Sequence, residues 1–136
     1  MDFLNMLVNK KIEVIDHTAT LKVAAQTMRD RKIGSLIVMK DGKEIGIISE
    51  SDVTRKAVAE ALNPEQTRVS SIMSSPIISI EITETPERAN DLMKEKEIRH
   101  LGVTEKGAFV GIISVRDLLR YFKVYYDGIG SLKPKK

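Results

Sequence analysis

The chain has 136 residues, room for one compact domain or two small interlocked ones, and 42% of them are apolar, enough for a core. It contains no cysteine, which excludes disulfides, a thiol nucleophile and thiolate metal sites. The net charge of +3 is matched by Lys133, Lys135 and Lys136 at the C-terminus, so the body is near neutral and has no broad basic face for nucleic acid. No apolar run is long enough to span a bilayer, and the start MDFLNMLVNKK lacks the charge and cleavage pattern of a secretory signal. The expectation is a soluble cytoplasmic protein without membrane attachment.

In chain order, IEVI (12–15) reads as a short strand, and the HTAT that follows supplies hydroxyls for a helix cap. Leu21, Ala24, Ala25 and Met28 share one helical face, with Lys22, Gln26, Arg29 and Asp30 on the other. Ile33 to Met39 is a β-branched apolar run, KDGKE a glycine turn, and Glu44 to Ser49 the returning strand of a hairpin. Asp52 opens a second helix carrying Val53, Ala57, Val58, Ala61 and Leu62. Residues 63–76, with Pro64 and Pro76, read as a linker.

The same order then returns: strand 77–80, helix 86–96, strand 98–104, turn EKG, strand 108–113, and a helix from Asp117. Shifted by 65, residues 12–55 match 77–120 at sixteen of forty-four positions without a gap, where chance gives about three. The chain is a tandem duplication of a β-α-β-β-α unit, an α/β (α+β) architecture. The expected boundaries are 1–62 for the first repeat with its N-terminal segment, 63–76 for the linker, 77–124 for the second repeat, and 125–136 for a basic, solvated tail. A three-stranded sheet with helices on one face leaves the other bare, so the two sheets are expected to pack face to face about a pseudo-twofold axis.

Each copy ends on one heptad, GIISESD (46–52) and GIISVRD (111–117). Ser-x-x-Asp ahead of an apolar helix is a capping signature, and a carboxylate at such a turn is equally placed to accept the two hydroxyls of a ribose. Catalysis has little to build on. The two histidines, His17 and His100, have no carboxylate or second ligand assigned to them, and neither a Ser-His-Asp order, a metal-ligand cluster nor a phosphate-binding glycine loop occurs. The chain is therefore read as a non-enzyme without a metal.

The repeated heptads, the doubled element order and VSSIMSSPII (69–78) together resemble a CBS-domain pair, or Bateman module, over about Val8 to Phe122. The resemblance implies clefts between paired sheets that take AMP, ADP, ATP or S-adenosylmethionine, with occupancy regulating a partner protein. It assigns the ribose to Asp117 and Ser114 in one cleft and to Asp52 and Ser49 in the other. For the adenine it implies Ile12, the Glu13 main chain, Ile33 and Ser35 beside Asp117, and Ile77, Ile78 and Ile98 beside Asp52. Phosphate needs cations or clustered N–H donors, which the second copy offers as Arg116, Arg99 and His100, and the first does not at the matching Ser51, Gly34 and Ser35. Arg116 also disfavours a sulfonium, so a phosphorylated adenosine is expected chiefly at Asp117, with no catalytic cofactor.

Two other readings stay open. One is a ligand-free module that dimerises or scaffolds through helix faces at Val53, Ala57, Ala61, Leu118 and Leu119; a homodimer is expected in either case. The other is nucleic-acid binding through SLKPKK, Lys123 and the tyrosines, for which a charge of +3 supplies little electrostatic drive.

Overall fold

The computed structural model describes residues 3–130, with side chains to residue 127. The elements begin with α1 (Phe3–Leu7), β1 (Val14–Asp16), α2 (Leu21–Arg31), β2 (Ser35–Lys40), β3 (Lys43–Ser49) and α3 (Glu50–Asp52). After α3 the chain continues in π-helical turns over Val53–Val58 and later makes a 3-10 turn over Val69–Ser71. The second copy follows as β4 (Ser79–Glu81), α4 (Pro86–Lys96), β5 (His100–Glu105), β6 (Ala108–Ser114) and α5 (Val115–Gly130). Two compact units divide the chain: Ile12–Ile78, and Met1–Lys11 together with Ser79–Lys136.

Each unit holds a three-stranded mixed sheet, ordered β1-β2-β3 or β4-β5-β6. The first strand runs parallel to the second, with Ile15 opposite Val38 and Ile80 opposite Val103. The second strand pairs antiparallel with the third, Leu36 facing Ile48 and Leu101 facing Ile113. Registers, and the irregularity after Val38 and Val103, repeat at the sequence offset. Both hairpins close on two residues with positive φ: Asp41 and Gly42 at 50° and 76°, Lys106 and Gly107 at 52° and 82°. That is the backbone a tight antiparallel turn requires, and glycine adopts it without penalty.

The helices also start and stop alike. Thr20 Oγ1 accepts from Val23 N at 3.3 Å, and Thr85 Oγ1 accepts from Arg88 N at 3.1 Å. Lys32 and Glu97 end them in the left-handed conformation. Removing one cap, as in Thr20→Ala, is expected to cost about 1 kcal/mol in chemical denaturation, and Thr85→Ala a similar amount.

In the first unit Leu21, Ala24 and Met28 of α2 meet Leu36, Val38 and Ile48 of the sheet, with Ala57, Val69 and Ile72 closing the core. The second unit buries Leu4, Ile80, Ala89, Met93, Leu101, Val103, Ile113 and Leu118. At the end of β4, beside the β5–β6 turn, Thr104 Oγ1 and Lys106 N donate to the Glu81 carboxylate, and these bonds hold it below the usual range.

Several boundaries differ from the sequence expectation. β1 begins at Val14, not Ile12, and β4 at Ser79 instead of 77. The second helix of the first copy does not reach Leu62. Its bonds widen to i→i−5, as from Ala59 N to Thr54 O at 3.0 Å, and Ala61 turns left-handed with φ of 55°. Ala57 and Leu118, expected on an exposed docking face, are core residues at 2% and 1% exposure; their neighbours Val58 and Leu119 face outward. Helix α5 runs through residues 125–130, which the sequence reading grouped with the tail. Lys133, Lys135 and Lys136 lie outside the described residues.

Candidate functional site

Both Ser-x-x-Asp sequences form the turn from a sheet into a helix, and each aspartate first serves its own backbone. Ser114 N donates to Asp117 Oδ2 at 2.8 Å and Ser114 Oγ donates to the same oxygen at 2.9 Å. In return Asp117 N donates to Ser114 Oγ at 3.2 Å. This capping box fixes the carboxylate at the N-terminus of α5, where the helix dipole favours a negative charge. Asp117 Oδ1 accepts no hydrogen bond and joins no ion pair among the described residues. Capping thus engages one oxygen of the carboxylate and leaves the other without a hydrogen-bond donor among the described residues.

The sheet register brings the sequence-derived cations to that turn. His100 lies opposite Ser114 in the β5–β6 ladder, and Val115 N donates to Arg99 O at 2.8 Å. Arg99 and Arg116 are exposed and enter no ion pair among the described residues. Glu95, a possible surface partner for Arg99, instead accepts from Arg88 at 3.2 Å. Ser114, Asp117, Arg99, His100 and Arg116 therefore share one end of the β5–β6 pair.

A further element at this site escaped the sequence reading. Residues 8–9 lie against β6, with Asn9 N donating to Ile112 O at 2.8 Å and Ile112 N to Asn9 O at 3.1 Å. Gly111 makes this approach possible, because a Cβ there would stand 2.5 Å from Asn9 O. Lys10 and Lys11, both exposed, follow directly. The first unit repeats the arrangement with Ser74 bridged to Ile47 beside Gly46. Asn9 and Ser74 are separated by the same 65 residues as the heptads, so position would have revealed the match where identity did not.

The matching turn in the first unit is differently occupied. Ser49 N and Oγ donate to Asp52 Oδ2 at 3.0 and 3.1 Å, as in the other copy. Here, however, Ser74 Oγ donates to Oδ1 at 3.1 Å, and Lys56 Nζ stands 2.9 Å from it. Asp52 is buried, at 7% exposure.

The residues expected around adenine divide between the units. Ile12, Glu13, Ile33, Ser35, Ile77 and Ile78 belong to the unit of Asp52, and Ile98 to that of Asp117. Glu13 is engaged within its own unit, its carbonyl accepting from Ile37 N at 2.9 Å and its carboxylate paired with Arg31. Ile33 packs against the core of that unit. No group of three or more potential metal ligands occurs among the described residues. Nor is any described helix long and apolar enough to cross a membrane.

Comparison with known proteins matches the geometry. The CBS-domain model fits residues 4–59 and 69–124, two segments offset by the internal repeat. An uncharacterized protein from Methanopyrus kandleri is 35% identical over 105 residues, covering 76% of this chain and 54% of the relative. The mitochondrial CBS domain-containing protein CBSX3 of Arabidopsis thaliana is 33% identical over 108 residues, covering 74% and 52%. The chain thus spans about half the length of these two relatives. A solved structure from Burkholderia ambifaria MC40-6, put forward as a signal-transduction protein with CBS domains, superposes with a TM-score of 0.79 at 29% identity, covering 83% of each chain. With both heptads, both mixed sheets and both matched segments in register, this chain belongs to the CBS-domain family and carries a tandem CBS pair.

Proposed function

We propose that this protein is a non-catalytic sensor of adenine nucleotides, which binds a phosphorylated adenosine at the β6–α5 turn and relays occupancy to a partner protein. CBS domains often bind adenosine ligands. The observation that carries the reading here is the open Oδ1 of Asp117, held by its capping box beside Arg99 and Arg116. The carboxylate accepts the ribose hydroxyls, Ser114 supports it, and the arginines with His100 meet the phosphate. Backbone groups of residues 8–11 and the apolar strand ends are the candidates for contact with the base.

Relay has a direct route. Asp117 and Arg116 are in the first turn of α5, whose outer side exposes Leu119, Val124, Tyr125 and Tyr126. A ligand that prefers one position of this helix shifts the population of that surface, and a second copy or a regulated protein reads it there. The same exposed surface favours a second reading, a ligand-free dimerisation module, in which changes at Asp117 leave partner capture intact.

Calorimetry with adenosine, AMP, ADP, ATP and S-adenosylmethionine tests the proposal. Phosphorylated adenosines are expected to bind more tightly than the other two, and absence of heat from all five rejects it. Arg116→Ala is expected to weaken AMP about tenfold to a hundredfold, the loss of one charge-assisted contact, while leaving adenosine unchanged.

A further inference from the structure

The two aspartates of the heptads are equivalent in sequence and unequal in what surrounds them. Lys56 Nζ lies 2.9 Å from Asp52 Oδ1 and donates to Ile72 O at 3.2 Å and to Ser74 Oγ at 3.3 Å. An ammonium has three protons to donate, and three acceptors stand around this one. Asp52 is just as fully engaged, receiving Ser49 N and Oγ on one oxygen and Ser74 Oγ with Lys56 Nζ on the other. A carboxylate has about four lone-pair sites, so none is left for a diol. In the second copy Tyr121 stands where Lys56 would be, and Asn9 where Ser74 would be. Neither donates to Asp117 among the described residues.

We infer that Lys56 is a built-in occupant of the first repeat's site: its ammonium covers the carboxylate oxygen that ribose hydroxyls need, so this repeat takes no adenosine while the pair holds. The inference rests on the reading of the equivalent Asp117 as a ribose acceptor. One nucleotide per chain follows, not two. The same ammonium also clasps Ile72 and Ser74 to the helix start, while Ser74 N and Ile47 N bond Ser74 to β3 at 2.8 and 3.0 Å. Lys56 is nonetheless 46% exposed, which leaves the plug removable from the solvent side without rebuilding the core.

Lys56→Met keeps the aliphatic stem and removes the charge. Titration with AMP is expected to give one site per chain in the natural protein and two in Lys56→Met. Two sites in the natural protein, or one in the variant, overturn the inference. The same substitution in an Asp117→Asn background separates the two claims, because there it is expected to create a single site at Asp52. If the natural protein binds no AMP, the reading of Asp117 fails, and gain of a site in Lys56→Met still decides this inference for it or against it. Should Lys56→Met not fold, acylation of Lys56 in the natural protein and in Asp52→Asn gives the answer by mass spectrometry. A severalfold faster reaction in Asp52→Asn supports the plug, and an unchanged rate overturns it.

Discussion

Asp117→Asn is expected to weaken AMP binding about a hundredfold or more, whereas Asp52→Asn leaves it unchanged. A ribose diol meeting one ionised carboxylate forms two charge-assisted hydrogen bonds, each contributing about 1.5–3 kcal/mol. Asparagine fits the same space but removes the charge and presents an N–H₂ where an acceptor is needed. Loss of folding is separable from loss of the proposed ligand contact, because the capping bonds fall on Oδ2 and the proposal places the ribose on Oδ1. A thermal melt taken beside the titration checks this. The variant should melt within a few degrees of the natural protein, since a weakened cap costs about 1 kcal/mol. Retained AMP affinity in a folded Asp117→Asn protein would remove Asp117 from the site.

The second large effect is expected at a glycine with no polar chemistry of its own. Gly111→Ala places a Cβ 2.5 Å from Asn9 O and 2.8 Å from Val8 Cγ2. The obstacle is backbone held by two hydrogen bonds to Ile112, so it cannot yield by a change of rotamer. Overpacking of this kind costs about 1–3 kcal/mol, and each backbone bond broken adds about 0.5–1.5 kcal/mol. Leu4, fully buried at 0% exposure, leaves its place if the segment is displaced. The expected result is a lower denaturation midpoint with fast amide exchange at Asn9 and Ile112. Gly46→Ala should destabilise in the same way, because besides the movable Met73 sulfur at 2.7 Å its Cβ would stand 2.9 Å from Ser74 O, backbone that is bonded to Ile47. Equal stability of the natural protein and Gly111→Ala would mean that residues 8–9 are not seated on β6 in solution.

These two experiments bear on different kinds of information. Helix α4, Pro86–Lys96, coincides with its sequence boundaries because a threonine cap, a proline in the first turn and apolar residues at helical spacing all act within one turn of chain. The hairpins were legible for the same reason, their Asp-Gly and Lys-Gly turns needing only local backbone geometry. The heptads marked the two aspartates, and the difference between Ser51 and Arg116 is the ground on which phosphate is expected at the second copy. The four-residue spacing of Asp52 and Lys56 suits a pair on one helix face, but nothing in the chain near them announces Ile72 and Ser74 as further partners of the ammonium.

By itself, then, the amino-acid order determined the duplicated β-α-β-β-α plan, the caps, the turns and the pair of Ser-x-x-Asp sites, all consequences of short-range periodicity and hydrogen bonding. Tertiary structure decided which segment lies beside each site. Residues 3–11 joined the second sheet and residues 69–76 the first, because Leu4 and Val69 are buried in those cores and Gly111 and Gly46 let a backbone come close. It also decided that one aspartate keeps an oxygen open while the other is filled by Lys56. The Asp52–Lys56 pair is itself a local i,i+4 contact, but the groups that complete it, Ile72 and Ser74, are sixteen or more residues away, and no local pattern encodes their arrival within hydrogen-bond distance.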